Sequence, residues 1–296
     1  MLRGRAPVPQ RNDMKIRLQK PAILRDTVAC VLIPSAGRAD VLRETLTLQT
    51  FLDRKGTFVG IQNDQWTDYR KVRQSFPSIT YVRYDNPGGS TVVAREHLRQ
   101  AAVRVGFNRY VCADDNTYYT SQSLENLVRA SLVYKTQPVV VGGMQGSTSM
   151  NSKPSRFDEA YVKKSGHTVG GFRFYRKIGM MFWVFPHELY SKVQYYDPLM
   201  LEARDVGCME DHSIALALLR LGHTNFVVCM DAPFKKKRFQ PGGQGSTAER
   251  AKKIGQAWMR LGQLHPMYME HVRMLWPYSK FYGIAKKRIL DEDIPF

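Results

Sequence analysis

The sequence has few cysteines, few acidic residues for its basic ones, and no long apolar run. Cys30, Cys112, Cys208 and Cys229 are its four cysteines in 296 residues. None sits in a CxxC pair and three lie in apolar, strand-like runs. Buried, reduced thiols are therefore expected, not a disulfide framework or a zinc site. No stretch approaches the roughly 18 uninterrupted apolar residues of a membrane span, so no membrane insertion is expected. Met1 to Lys20 carries charges and prolines but lacks the apolar centre of a secretion signal, and a cytoplasmic protein is expected. His265 and His271 lack the HExxH spacing of a helical zinc site, and no glycine-rich segment has the GK[ST] ending of a P-loop. There is no internal repeat, and nothing points to a protein partner.

Acidic residues are outnumbered by Lys and Arg, 26 to 44, for a net charge of +18. The excess is uneven. Residues 1–26 hold 7 Lys/Arg against 2 Asp/Glu, and residues 233–296 hold 13 against 5. The stretch between holds 24 against 19, so a nearly balanced body carries two basic ends. Such ends suit a polyanion: nucleic acid, or an anionic membrane surface. A solvated basic surface is the plain alternative. Residues 1–26, rich in Arg and Pro and without periodicity, read as a flexible arm. Residues 27–232 have the apolar patterning of one large domain, and 233–296 read as a basic loop and helical extension.

Within the body, apolar runs predict strands at 28–33, 57–62, 79–84, 110–113, 138–143 and 225–230, with strand-like character over 172–185. Helical spacing predicts helices at 40–51, 91–105, 123–134 and 214–221. Gly106 and Gly222 end two of them, and Ser121 or Ser123 caps a third. The alternation predicts an α/β fold: a mostly parallel central sheet with helices on both faces. Ligands of such sheets bind beyond the carboxyl ends of the strands. Pro34-Ser35, Asn63-Asp64, Asp114-Asp115 and Gly142-Gly143 all fall there. The polar stretch Gln145 to Ser165 is long for a connection and reads as a functional loop.

Two acidic clusters carry the chemistry. Asp114-Asp115-Asn116 puts adjacent carboxylates at a strand end, where a hard cation takes oxygen ligands; Asp and Asn are also ordinary turn residues. Glu210-Asp211 opens an apolar helix, where a carboxylate serves either as a base or as a first-turn acid. Lys235, Lys236, Lys237 and Arg238 precede a glycine-rich loop suited to a diphosphate or a DNA backbone, or to plain solvation. Arg173 and Arg176 alternate with aromatics, which suits nucleic acid and equally a half-buried strand.

Taken in order, these motifs resemble the GT-A nucleotide-sugar glycosyltransferases of the inverting family 2 type. The resemblance runs from Val28 to Asp231. It rests on Ile33-Pro34-Ser35-Ala36-Gly37-Arg38, Gln62-Asn63-Asp64, Asn86-Pro87-Gly88-Gly89 before Ala94-Arg95, Asp114-Asp115-Asn116, and Glu210-Asp211. It implies that Pro34, Ser35, Arg38, Asp64, Gly88, Arg95 and Asp114 bind the nucleotide-sugar, with Asp64 at the nucleobase. It implies Mn²⁺ or Mg²⁺ on Asp115 and Asp114, Asp211 as base, and Glu210 at the acceptor or sugar. Asn116 stands where the family motif has a second Asp, so the metal assignment between Asp114 and Asp115 stays open. A GT-A chain with two basic ends and no membrane span also resembles the TET-associated glycosyltransferases of bacteriophages. That likeness implies a UDP-sugar donor and a 5-hydroxymethylpyrimidine in DNA as acceptor, flipped from its stack. Arg173, Arg176, Lys235, Lys236, Lys237 and Arg238 would then face the DNA. Three alternatives stand beside it: a transferase acting on surface polysaccharide or lipid-linked sugar, a nucleotidyltransferase, and a non-catalytic DNA-binding protein.

Overall fold

The computed structural model describes residues 29–52, 54–86, 89–133, 140–145, 169–173, 182–195, 210–222, 225–236 and 263. Four apolar runs form the first half of a sheet: β1 (Ala29–Ser35), β2 (Thr57–Gln62), β3 (Thr80–Tyr84) and β4 (Arg109–Ala113). The second half is β5 (Thr117–Tyr119), β6 (Val140–Gln145), β7 (Val169–Arg173), β8 (Phe182–Pro186) and β9 (Asn225–Lys236). The described residues thus make one nine-stranded sheet in the order β3-β2-β1-β4-β8-β6-β9-β5, with β7 also on β9. Strands β1, β2, β3, β4, β6 and β9 share one direction, and β5, β7 and β8 oppose it. The sheet is mostly parallel, as the alternation predicts.

Helices cover both faces. They are α1 (Ala39–Leu48), α2 (Arg70–Ser75), α3 (Thr91–Val105), α4 (Ser121–Val133), α5 (His187–Tyr190) and α6 (Glu210–Arg220). Every residue of β2 is buried. Its side chains alternate between the layers. Val59 and Ile61 join the cluster that holds Leu42 and Leu46 of α1, Val72 of α2 and Leu127 of α4. Gly60 faces the other way, where a Cβ would lie 3.0 Å from Leu98 Cγ of α3. Glycine lets α3 settle onto the sheet there.

The ends of α3 were legible. Ser90 Oγ accepts from the Val93 amide at 3.4 Å, and Gly106 takes the left-handed conformation at φ 86°. Asn86 braces the entry, accepting from the Ser90 amide and donating to its carbonyl. Glu96 and Arg99 of α3 form a buried pair. Glu96 also accepts from the Tyr195 amide, and Arg99 donates to the Tyr190 carbonyl, so this pair ties the segment after α5 to α3.

Several expectations change. Strand β1 does not stop at Pro34; it continues to Ser35, with Pro34 opposite Gly60. Pairing with β4 ends at Leu32 and Cys112, so the missing proline N–H leaves no gap on that side. Helix α4 is capped by Thr120, not Ser121 or Ser123: Thr120 Oγ1 accepts from the Ser123 amide. Strand β9 does not end at Met230. It runs through Pro233 to Lys236. Cys30, Cys112 and Cys229 are buried free thiols, as expected. The loop Gln145–Ser165 lies almost wholly outside the described residues.

Candidate active site

The site is assembled where β1, β4 and β9 end, beside the start of α3 and α6. Asp115 follows β4 and is fully buried, at 0% exposure. Ser35 Oγ donates to its Oδ2 at 2.7 Å and Arg38 Nε donates at 3.1 Å, while the Arg38 guanidinium also pairs with Oδ1. Burial pushes the Asp115 carboxyl up to about 6, against the pull of Arg38 and Ser35. Thr45 Oγ1 donates to the Asp115 carbonyl, and Gln49 Nε2 to that of Thr117. Tyr69 completes the arrangement. Its hydroxyl lies 2.8 Å from Ser35 Oγ and accepts from the Arg38 amide. Burial raises the Tyr69 phenol to about 12. Tyr69, Thr45 and Gln49 escaped the sequence reading because nothing in their local pattern distinguishes them from ordinary helix and turn residues.

Asp114, one residue earlier, looks the other way and is 21% exposed. Its Oδ1 accepts from Arg95 Nη2 at 2.6 Å and its Oδ2 from Lys236 Nζ at 2.8 Å. Burial works to raise this carboxyl, but Lys236 and Arg95 overcome it and hold the group below the usual carboxylate range. Arg95 is itself 2% exposed and donates to the Ala113 carbonyl. Burial disfavours its charge, and its surroundings outweigh that, Asp114 foremost and Glu210 last after Cys112 and Tyr195. Glu210 opens α6 and accepts from Thr91 Oγ1 at 2.6 Å, which binds the starts of α3 and α6 together. Asp211 follows it in the same first helical turn.

The structure therefore groups Ser35, Arg38 and Asp115 into one cluster, and Arg95, Asp114 and Lys236 into another that Glu210 adjoins. Asp64 is exposed, in the short turn Asn63–Gln65 after β2. Gln65 of that turn accepts from the Gly37 amide at 2.9 Å, holding the turns after β1 and β2 together. Pro34 stays in its strand. Arg173 sits on β7 opposite Asn225, and Lys235 is exposed on β9 opposite Tyr118. Gly88, Arg176, Lys237 and Arg238 lie outside the described residues. Lys236, one of the expected DNA contacts, pairs with Asp114. Among the described residues, no group of three or more His, Cys, Asp and Glu side chains is gathered to hold a metal ion.

No family model and no curated protein matches the sequence. Solved structures do. S. aureus TarS 1-349 in complex with UDP aligns with 91% of this chain and 76% of its own, at 10% identity and a TM-score of 0.53. A mycobacterial protein aligns with 82% of this chain and 76% of its own, at 13% identity and a TM-score of 0.51. The fold is GT-A. The chain spans 66% of another TarS 1-349 structure and 44% of the longer TarS chain. In GT-A terms, the paired carboxylates after β4 stand at the carboxyl edge of the parallel strands, where such sheets bind ligands. Among the described residues, no helix is long and apolar enough to cross a membrane.

Proposed function

We propose that the protein is an inverting glycosyltransferase that moves a sugar from a UDP-sugar to a hydroxyl acceptor. The observation that carries this reading is the convergence of Asp114, Arg95, Lys236 and Glu210 at the carboxyl edge of a GT-A sheet. The fold likeness to a TarS structure solved with UDP supports a uridine diphosphate donor. An alcohol is a weak nucleophile, so a positioned carboxylate must accept its proton as it attacks. Asp211 takes that role, and Glu210, anchored by Thr91, contacts the acceptor or the sugar. The acceptor oxygen bonds to the anomeric carbon, the bond from that carbon to the diphosphate breaks, and UDP leaves with the electron pair. Asp64, Pro34, Ser35, Arg38 and Gly88 surround the nucleotide.

The basic ends favour a polyanionic acceptor, and the specific reading is a 5-hydroxymethylpyrimidine in DNA. Arg173, Arg176, Lys235, Lys237 and Arg238 then contact its backbone. The test is mass spectrometry of nucleosides from hydroxymethylcytosine and hydroxymethyluracil DNA, incubated with the full chain and a panel of UDP-sugars. A sugar-sized mass gain, lost in Asp211→Asn, is the expected result. UDP release without DNA modification would discard the DNA acceptor and keep the transferase. Pyrophosphate release in place of UDP would identify a nucleotidyltransferase.

A further inference from the structure

GT-A enzymes commonly hold a divalent metal on the acidic motif that follows the fourth strand, and the sequence leads one to expect Mn²⁺ or Mg²⁺ on Asp115 and Asp114. The donors here do not fit that ion. Asp115 is fully buried, with both oxygens turned to Arg38. Asp114 has one oxygen on Arg95 and the other on Lys236. Two carboxylates thus already face three cations of the chain. An added dication would find Asp115 committed to Arg38 and would have to displace a lysine from Asp114.

Lys236 is not a chance surface contact. It is the last residue of β9 and pairs in register with Thr117 of β5. Thr117 also holds Asp114: its amide donates to the Asp114 carbonyl, and its Oγ1 accepts from the Asp114 amide. One residue therefore positions both members of the ion pair. Lys236 remains 32% exposed, so its ammonium can also meet a ligand, while Arg95 beneath is sealed. Arg95 keeps Asp114 ionised, and Lys236 stands on the open side.

We propose that Lys236 takes the place of the divalent cation: its ammonium, held by Asp114, meets the donor's diphosphate, and donor binding is independent of metal. This rests on the UDP-sugar reading above. A lysine is a point charge with rotatable donors, so it can share Asp114 with a phosphate oxygen.

The experiment is calorimetric titration of UDP into the full-length wild type, Lys236→Met and Lys236→Arg, each in EDTA and in Mn²⁺. The wild type binds UDP with affinities agreeing within about twofold in the two buffers. Lys236→Met loses about tenfold or more in EDTA, the scale of one charge-assisted bond, and Lys236→Arg keeps most of the affinity. Wild-type binding that requires Mn²⁺ overturns the inference and leaves the donor reading intact. So does Lys236→Met binding as tightly as wild type. If Lys236→Met does not fold, the wild-type comparison decides alone. No binding of UDP in either buffer overturns the donor reading, and this inference with it.

Discussion

Asp114 and Asp115 are chain neighbours with opposite surroundings, and the difference comes from what each oxygen touches. Asp115 works inward. It joins the end of β1 to the segment after β4 through Ser35 and Arg38, so it positions the site's floor. Ser35→Ala removes the donor to Asp115 and the hydrogen bond with Tyr69, and is expected to cost about 1–2 kcal/mol in urea unfolding. Asp114 works outward, but it also compensates a buried guanidinium. Asp114→Ala leaves the sealed Arg95 charged and without that carboxylate, and is expected to cost about 3 kcal/mol. An unchanged urea midpoint would mean that Arg95 is compensated by another group. The identity of these acids was legible from sequence because two carboxylates at the end of an apolar run are conspicuous. Their division of labour was not. It depends on Ser35, Tyr69, Arg95 and Lys236, each far from the acids along the chain and brought there by folding.

At the scale of elements, β6 and β8 pack with no room to spare. A Cβ on Gly143 would lie 2.4 Å from Phe182 Cδ1 and 2.8 Å from the Ala232 carbonyl oxygen, which is backbone and cannot swing away. Gly143→Ala is therefore expected to destabilise by about 1–3 kcal/mol in urea unfolding, the cost of overpacking. Helix α3 makes a second prediction. His97 is buried and stacked on Tyr84 at 4.9 Å. Burial lowers its pKa, more than Glu96 and Asp85 raise it. The unfolded chain then binds the extra proton more readily, so stability falls as pH drops below about 6.5, the free histidine value. A series of thermal melts between pH 5 and 7 should show this slope, and His97→Gln should flatten it. Strands β2, β3 and β4 and helix α3 were readable because they are long apolar or amphipathic runs with caps. Helix α2 was missed: Arg70–Ser75 has Val72 as its one aliphatic residue. Strand β5 was missed because its three residues form a strand only by lying against β9. The end of β9 was misjudged because Lys235 and Lys236 look like the start of a solvated loop, when their pairing with β5 is what keeps them extended.

For the molecule as a whole, charge is divided between a balanced body and basic ends. Deleting residues 1–26, which precede the described sheet, is expected to leave UDP affinity and the melting temperature nearly unchanged. If the acceptor is DNA, as proposed above, the deletion should weaken DNA binding and make its salt dependence shallower, by roughly 0.9 in log–log slope for each phosphate no longer neutralised. Filter binding at several salt concentrations would measure this. A drop in UDP affinity in the shortened chain would instead tie residues 1–26 to the donor site.

Strand β9 is the last described strand in sequence, yet it lies inside the sheet, between β6 and β5, with β7 also upon it. A ribosome that has released β1 to β8 has therefore delivered six strands that can pair with one another, β5 and β7 on their own, and nothing to join them. Until Asn225–Lys236 emerges, β5 and β7 lack the strand they pair with and one side of β6 stays open, a template for pairing with another chain. The strand that closes this gap is also the one that delivers Lys236 to Asp114. Sheet closure and completion of the site thus become the same late event in the birth of the protein, and a prematurely terminated product is prone to aggregate before it is able to bind.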